Sequence, residues 1–158
     1  MTRHLLALLF FLGGPVSVLW AQDADPHREL EKAKKQTLPT AVKAIQENTD
    51  VKVALEVDAP SFGNDAHAWG NVYIIANRIV GALSDVGRDQ MGKDALDRDV
   101  KKIVIARLAG SGEDAVEVKD HTVYVRTTAS DKAMTVLQNV IIAALEKALQ
   151  TGHPPPTP

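Results

Sequence analysis

Hydrophobic positions along this chain follow two rhythms, one of helices and one of strands. Between residues 27 and 48, Leu30, Ala33, Thr37, Leu38, Ala41, Val42 and Ile45 recur at three- and four-residue steps, the mark of a helix with one inward face. Asp25 and Pro26 suit its start, since Asp can cap free amides and Pro fits the first helical position. Pro39 lacks an amide donor, so the spacing predicts either a bend or two helices meeting near Thr37. Residues 51–57 then switch to strict alternation: Val51, Val53, Leu55 and Val57 on one side, Lys52, Ala54 and Glu56 on the other. That is a half-buried strand with one wet face.

The stretch 58–65 is rich in turn formers. After it, Trp69, Val72, Tyr73, Ala76, Ile79, Val80 and Leu83 predict a long central helix ending near Gly87, its apolar arc widened by Ile74 and Ile75. Residues 92–99 read as a short helix, with Met91, Ala95 or Leu96, and Val100 facing inward. Residues 102–108 form a second strand. Residues 115–119 and 122–127 form a hairpin around Asp120-His121, with Val116, Val118, Val123 and Val125 on one face. This turn pair is weaker than Asn-Gly, because both central residues need positive φ. A last helix opens at Ser130, turns Met134, Leu137, Val140, Ile141, Ala144, Leu145 and Ala148 inward, and ends at Gly152.

The resulting order is α-β-α-α-β-β-β-α. Strands gathered into a hairpin rather than alternating with helices predict an α+β fold: one two-layer domain with a sheet of about four strands, antiparallel or mixed, and helices packed on one face.

The first residues are patterned differently. Arg3 and His4 precede an uncharged apolar run, residues 5–20, interrupted by Gly13-Gly14-Pro15. This is the layout of a secretory signal peptide, and the run falls short of the roughly 20 residues that span a bilayer. Cleavage after Ala21 is expected, leaving no stable membrane anchor and a protein that is secreted or periplasmic. The chain thereby divides into a signal at 1–21, a globular domain at 22–150 and a proline-rich tail at 151–158, expected to be disordered.

Composition sharpens this outline. The 158 residues are 45% hydrophobic and 24% charged, the proportions of a folded globular protein. Cysteine is absent, which excludes disulfides, thiolate zinc sites, iron–sulfur clusters and cysteine nucleophiles. The formal charge is −2, and loss of Arg3 with the signal makes it −3, so nucleic acid is not an expected partner. Lys34-Lys35 and Lys101-Lys102 are isolated pairs among acids. Without the signal, the aromatics are Phe62, Trp69, Tyr73 and Tyr124, and the core must be built from aliphatic side chains.

Several residues invite a chemical reading. Gly87 to Lys93 has the glycine and lysine spacing of a phosphate-binding P-loop, but Asp94 stands where Ser or Thr must hold magnesium, and a helix rather than a strand precedes it. It is better explained as a glycine-punctuated link between helices. In the loop, Asp58, Asp65 and His67 lie close together beside Phe62 and Trp69. Two carboxylates and an imidazole suit a divalent metal or acid–base work, yet turn formation, helix capping by Asp65 and core anchoring by Trp69 account for the same residues. No serine sits in Gly-x-Ser-x-Gly. Arg107 and Arg126 are strand residues expected to share the solvent face with Glu56, as surface ion pairs or as anion contacts.

These features predict an exported non-catalytic α+β module that binds a protein or small ligand in the cell envelope, with no cofactor and no metal. The expected contact surface comprises Asp58, Phe62, Asp65, His67 and Trp69 of the loop, with Glu56, Arg107 or Arg126 of the polar sheet face. The competing expectation is a hydrolase or metal-assisted enzyme centred on Asp58, Asp65 and His67. A third is a structural or folding-assistance protein that assembles through its amphipathic first helix.

Overall fold

A computed structural model describes residues 25–110 and 112–151 of the chain. The expected signal and cleavage site, and the proline tail beyond Thr151, lie outside these residues. Within them a four-stranded mixed sheet packs with helices in an α+β arrangement, as the hydrophobic pattern implies.

Helix α1 (Pro26–Lys32) begins where Asp25 accepts a hydrogen bond from the His27 amide at 3.0 Å. No break follows: the backbone stays helical through this point. Residues Ala33–Thr37 form a π-turn in which the Leu38 amide donates back to Ala33, and helix α2 (Leu38–Thr49) continues directly. The physical cause is Pro39: it has no N–H for the usual bond, and its ring would press on the carbonyl one turn earlier. A wider turn absorbs both problems without ending the helix. Asp50, at φ 61°, closes α2 in the left-handed conformation, and buried Thr49 donates to the Ile45 carbonyl at 2.7 Å.

Strand β1 (Ala54–Val57) is shorter than its alternation predicts, although Val51 and Val53 are still buried. The turn-rich stretch contains a further helical turn, α3 (Ala59–Phe62). Helix α4 (Ala66–Val86) runs through the centre, burying Val72, Ile75, Ile79 and Leu83 completely. Each such aliphatic side chain contributes about 1.5–3 kcal/mol by leaving water. Tyr73 is 60% exposed and Ile74 is also at the surface, so the apolar arc is narrower there than the sequence implies. In α5 (Gln90–Asp99), Leu96 and the following Val100 are fully buried, but Met91 is 79% exposed instead of facing inward. Met91 lies in the first turn after the Asp89 cap, where the helix has yet to reach the core.

Strands β2 (Lys102–Arg107), β3 (Ala115–Lys119) and β4 (Thr122–Thr127) complete the sheet in the order β1-β2-β4-β3. β1, β2 and β4 run parallel, and β3 pairs antiparallel with β4 through the predicted hairpin. Asp120 and His121 have φ of 49° and 59°, the backbone a tight turn requires. Helix α6 (Asp131–Thr151) packs along α4 and buries Leu137, Ile141 and Leu145.

Strand periodicity divides the sheet into two faces. Leu55, Ile103, Ile105, Val123 and Val125 are buried beneath the helices, with Val116 and Val118 half-buried on the same side. Glu56, Val104, Tyr124 and Glu117 occupy one row on the opposite face, being register partners across all four strands. The first helical segment places Ala33, Leu38, Ala41 and Ile45 in the core against α4, so its apolar face is occupied within the fold.

Candidate functional site

Three parallel strands bring their carboxyl ends to one edge: Val57 of β1, Arg107 of β2 and Thr127 of β4. Open α/β sheets commonly bind ligands at such an edge. Here the local groups are largely bonded to one another. The Ser61 hydroxyl donates to the Asp58 carbonyl at 2.7 Å and accepts from the Arg107 amide at 2.8 Å, tying α3 to the end of β2. Asp58 caps nothing with its own side chain and is exposed.

Asp65 opens α4. One carboxylate oxygen accepts from the Ala68 amide at 3.0 Å, and the other lies 2.6 Å from Nη2 of Arg107. The Ala68 amide, then the Arg107 charge and the His67 amide, hold its carboxyl below the ordinary aspartate value despite the opposing effect of burial. His67 is exposed, and its Nδ1 lies 3.4 Å from Nδ2 of Asn71. Asn71 is buried and donates to the Ala129 carbonyl at 2.8 Å, while Thr127 accepts from the Ala129 amide at 3.1 Å. Ala129 has φ of 55°, so these two bonds hold a backbone conformation that a non-glycine residue rarely takes.

The expected metal or acid–base cluster is not assembled. Asp65 is engaged as a cap and ion-pair partner, Asp58 and His67 face solvent, and no three His, Asp or Glu among the described residues are grouped to hold one metal ion. Phe62 and Trp69 are core residues instead of surface contacts, 1% and 3% exposed. Their rings meet at 4.7 Å between centroids, and the indole N–H donates to the Gly63 carbonyl at 3.0 Å. Together they clamp the loop from below. The P-loop look-alike also has a structural explanation: a Cβ on Gly92 would lie 1.9 Å from the Val86 carbonyl oxygen, so only glycine fits.

The two arginines separate. Arg107 has the parity of Ile103 and Ile105 and turns toward Asp65, away from the face carrying Glu56. Arg126 is on that outer face. Its Nη1 lies 3.2 Å from Glu117 and its guanidinium carbon 5.8 Å from the Tyr124 ring centroid. Across the sheet, Lys102 and Glu56 pair at 2.7 Å. The outer face is therefore a half-buried strip, Val104 and Tyr124, bordered by two ion pairs of mixed sign. Sequence patterning locates Glu56 and Arg126 on this face. It does not single out Ser61, Asn71 or Thr127, whose roles depend on distant carbonyls and amides, although an Asn inside the apolar run of α4 is the one available signal.

The chain matches no protein-family model, and comparison with curated proteins and with solved structures gives no match. No helix among the described residues is long and apolar enough to cross a membrane.

Proposed function

We propose that this protein is an exported, non-catalytic binding module that docks a protein partner of the cell envelope on the outer face of its sheet. The observation that carries the reading is the register placing Val104 beside Tyr124 between Glu56 and Glu117, with Lys102 and Arg126 completing the border. An apolar and aromatic centre inside a charged rim is the anatomy of protein interfaces, in which Tyr and Arg are enriched. The rim charges neutralise each other in pairs, which favours a partner surface of mixed charge over a polyanion. Export rests on the basic start, uncharged run and Ala21 of the leader.

The test is capture of envelope proteins on immobilised wild-type protein and on Tyr124→Ala and Val104→Glu variants, followed by titration of the captured partner. The partner is expected to be lost from both variants and retained by Asp58→Ala, whose exposed side chain lies past the end of β1 and outside this row. Undiminished binding by both face variants overturns the reading. Export is checked by intact mass after expression with the leader, the expected chain beginning at Gln22; retention of residues 1–21 overturns cleavage.

A further inference from the structure

Tyr73 is anomalous. The chain has two tyrosines, and this one lies on the central helix in an apolar run, yet its side chain is largely in solvent. It stands at the wall of a groove of about 220 Å³ between α4 and the π-turn with the start of α2. The floor is made of small residues, Ala41, Ala44 and Ala76, while Gln36, Thr40 and Asn77 supply the polar lining. The one cation, Lys32, is offset by Glu29 at 3.6 Å. π-turns inside α-helices are uncommon and recur at functional sites, and this one supplies Gln36 and Thr37 to the lining.

We propose that this groove binds a neutral sugar ring, with Tyr73 as its stacking platform. The face of an aromatic ring carries negative charge density and attracts the weakly positive C–H edge of a pyranose. Amide and hydroxyl side chains can both donate and accept, matching ring hydroxyls that do the same. Lys32 is the one charged lining residue, and its pairing with Glu29 leaves little charge to select a phosphate or carboxylate. The volume lies below the 300–1,000 Å³ or so of drug-sized sites, which suits one ring of a longer glycan threaded through an open groove. A separate small cavity of about 10 Å³ adjoins it, sharing Lys32, Thr37 and Tyr73 and lined also by Gly70, one turn before Tyr73, and a second ring of the glycan would lie over this point. A Cβ there meets nothing within 4 Å, so a larger side chain can enter the space without moving the backbone. This site is separate from the sheet face and stands or falls independently of it.

The experiment is an NMR titration of the purified protein with tri-N-acetylchitotriose and with maltotriose, followed at Tyr73, Asn77 and Gln36, with circular dichroism melts showing that each variant is folded. At least one trisaccharide is expected to bind with a Kd of about 0.1–10 mM and to shift those resonances. Tyr73→Ala should weaken it about tenfold, and Tyr73→Phe, which keeps the ring, by no more than about twofold. Gly70→Leu should block binding while leaving the fold intact. The proposal is overturned if neither sugar shifts those resonances up to about 10 mM, if binding survives both Tyr73→Ala and Gly70→Leu, or if the Phe variant loses as much as the Ala variant.

Discussion

Nη2 of Arg107 lies 2.6 Å from Oδ2 of Asp65, joining the end of β2 to the first turn of the central helix. The same carboxylate caps that turn through the Ala68 amide. One side chain therefore fixes both where α4 begins and how it meets the sheet.

The two roles separate by mutation. Asp65→Ala is expected to lower stability by about 1–2 kcal/mol through loss of the cap. Arg107→Ala, which breaks only a partly exposed pair, should lower it by about 0–1 kcal/mol. Asp65→Asn keeps a capping oxygen and should resemble Arg107→Ala. Because folding depresses the Asp65 pKa, its electrostatic contribution is complete above the ordinary aspartate value of 3.8 and fades as pH falls through the lower folded value. Urea melts between pH 2.5 and 6 should show a shallower acid-side loss in the Asn variant; parallel curves would contradict the assignment.

Phe62 and Trp69 are expected to govern stability directly. Phe62→Ala should cost about 3–5 kcal/mol by emptying a packed site beside the indole. Trp69→Phe retains most of the apolar contact but strands the Gly63 carbonyl, for a loss of about 1 kcal/mol. Equilibrium unfolding in denaturant measures both. Near-neutral results would mean that the loop is not clamped as described.

At Gly92 the expected cause is steric. Gly92→Ala should destabilise by about 3 kcal/mol or more, since the new methyl meets the Val86 carbonyl in backbone that cannot easily yield. Asp94→Thr, which restores the P-loop pattern, should produce no ATP binding by calorimetry. Measurable nucleotide affinity in that variant would contradict the structural account.

The hairpin turn carries removable strain. His121 is exposed at φ 59°, so His121→Gly should raise stability by about 0.5–1 kcal/mol, visible as a higher thermal midpoint. An unchanged or lower midpoint would show that the imidazole makes a compensating contact.

The secondary elements were legible because each has a local cause. Alternation at Leu55, Ile103, Ile105, Val123 and Val125 reflects a pleat with one buried side, and three- and four-residue spacing reflects a helix face. The turn at Asp120-His121 and the cap at Asp65 likewise depend on residues close in sequence. The candidate site was legible only in part. Glu56 and Arg126 could be placed on the open face by parity alone, and parity also sets Arg107 with Ile103 and Ile105, but its pairing with Asp65, 42 residues away, could not be read from the sequence. Exposure of Tyr73 and burial of Phe62 were also hidden, because a one-dimensional pattern marks an aromatic residue as apolar without saying whether another element will cover it.

By itself, then, the sequence determined the class of fold, the order of its elements and the absence of any cysteine chemistry, since these follow from periodicity and composition. Only the tertiary structure decided the strand order β1-β2-β4-β3, the π-turn that accommodates Pro39, and the pairing of Arg107 with Asp65 in place of a metal cluster. The strand order and the ion pair depend on contacts between residues far apart in the chain, and local propensity does not encode which surfaces finally meet; the π-turn is local to Pro39, but the sequence alone allows a bend or a break there equally well.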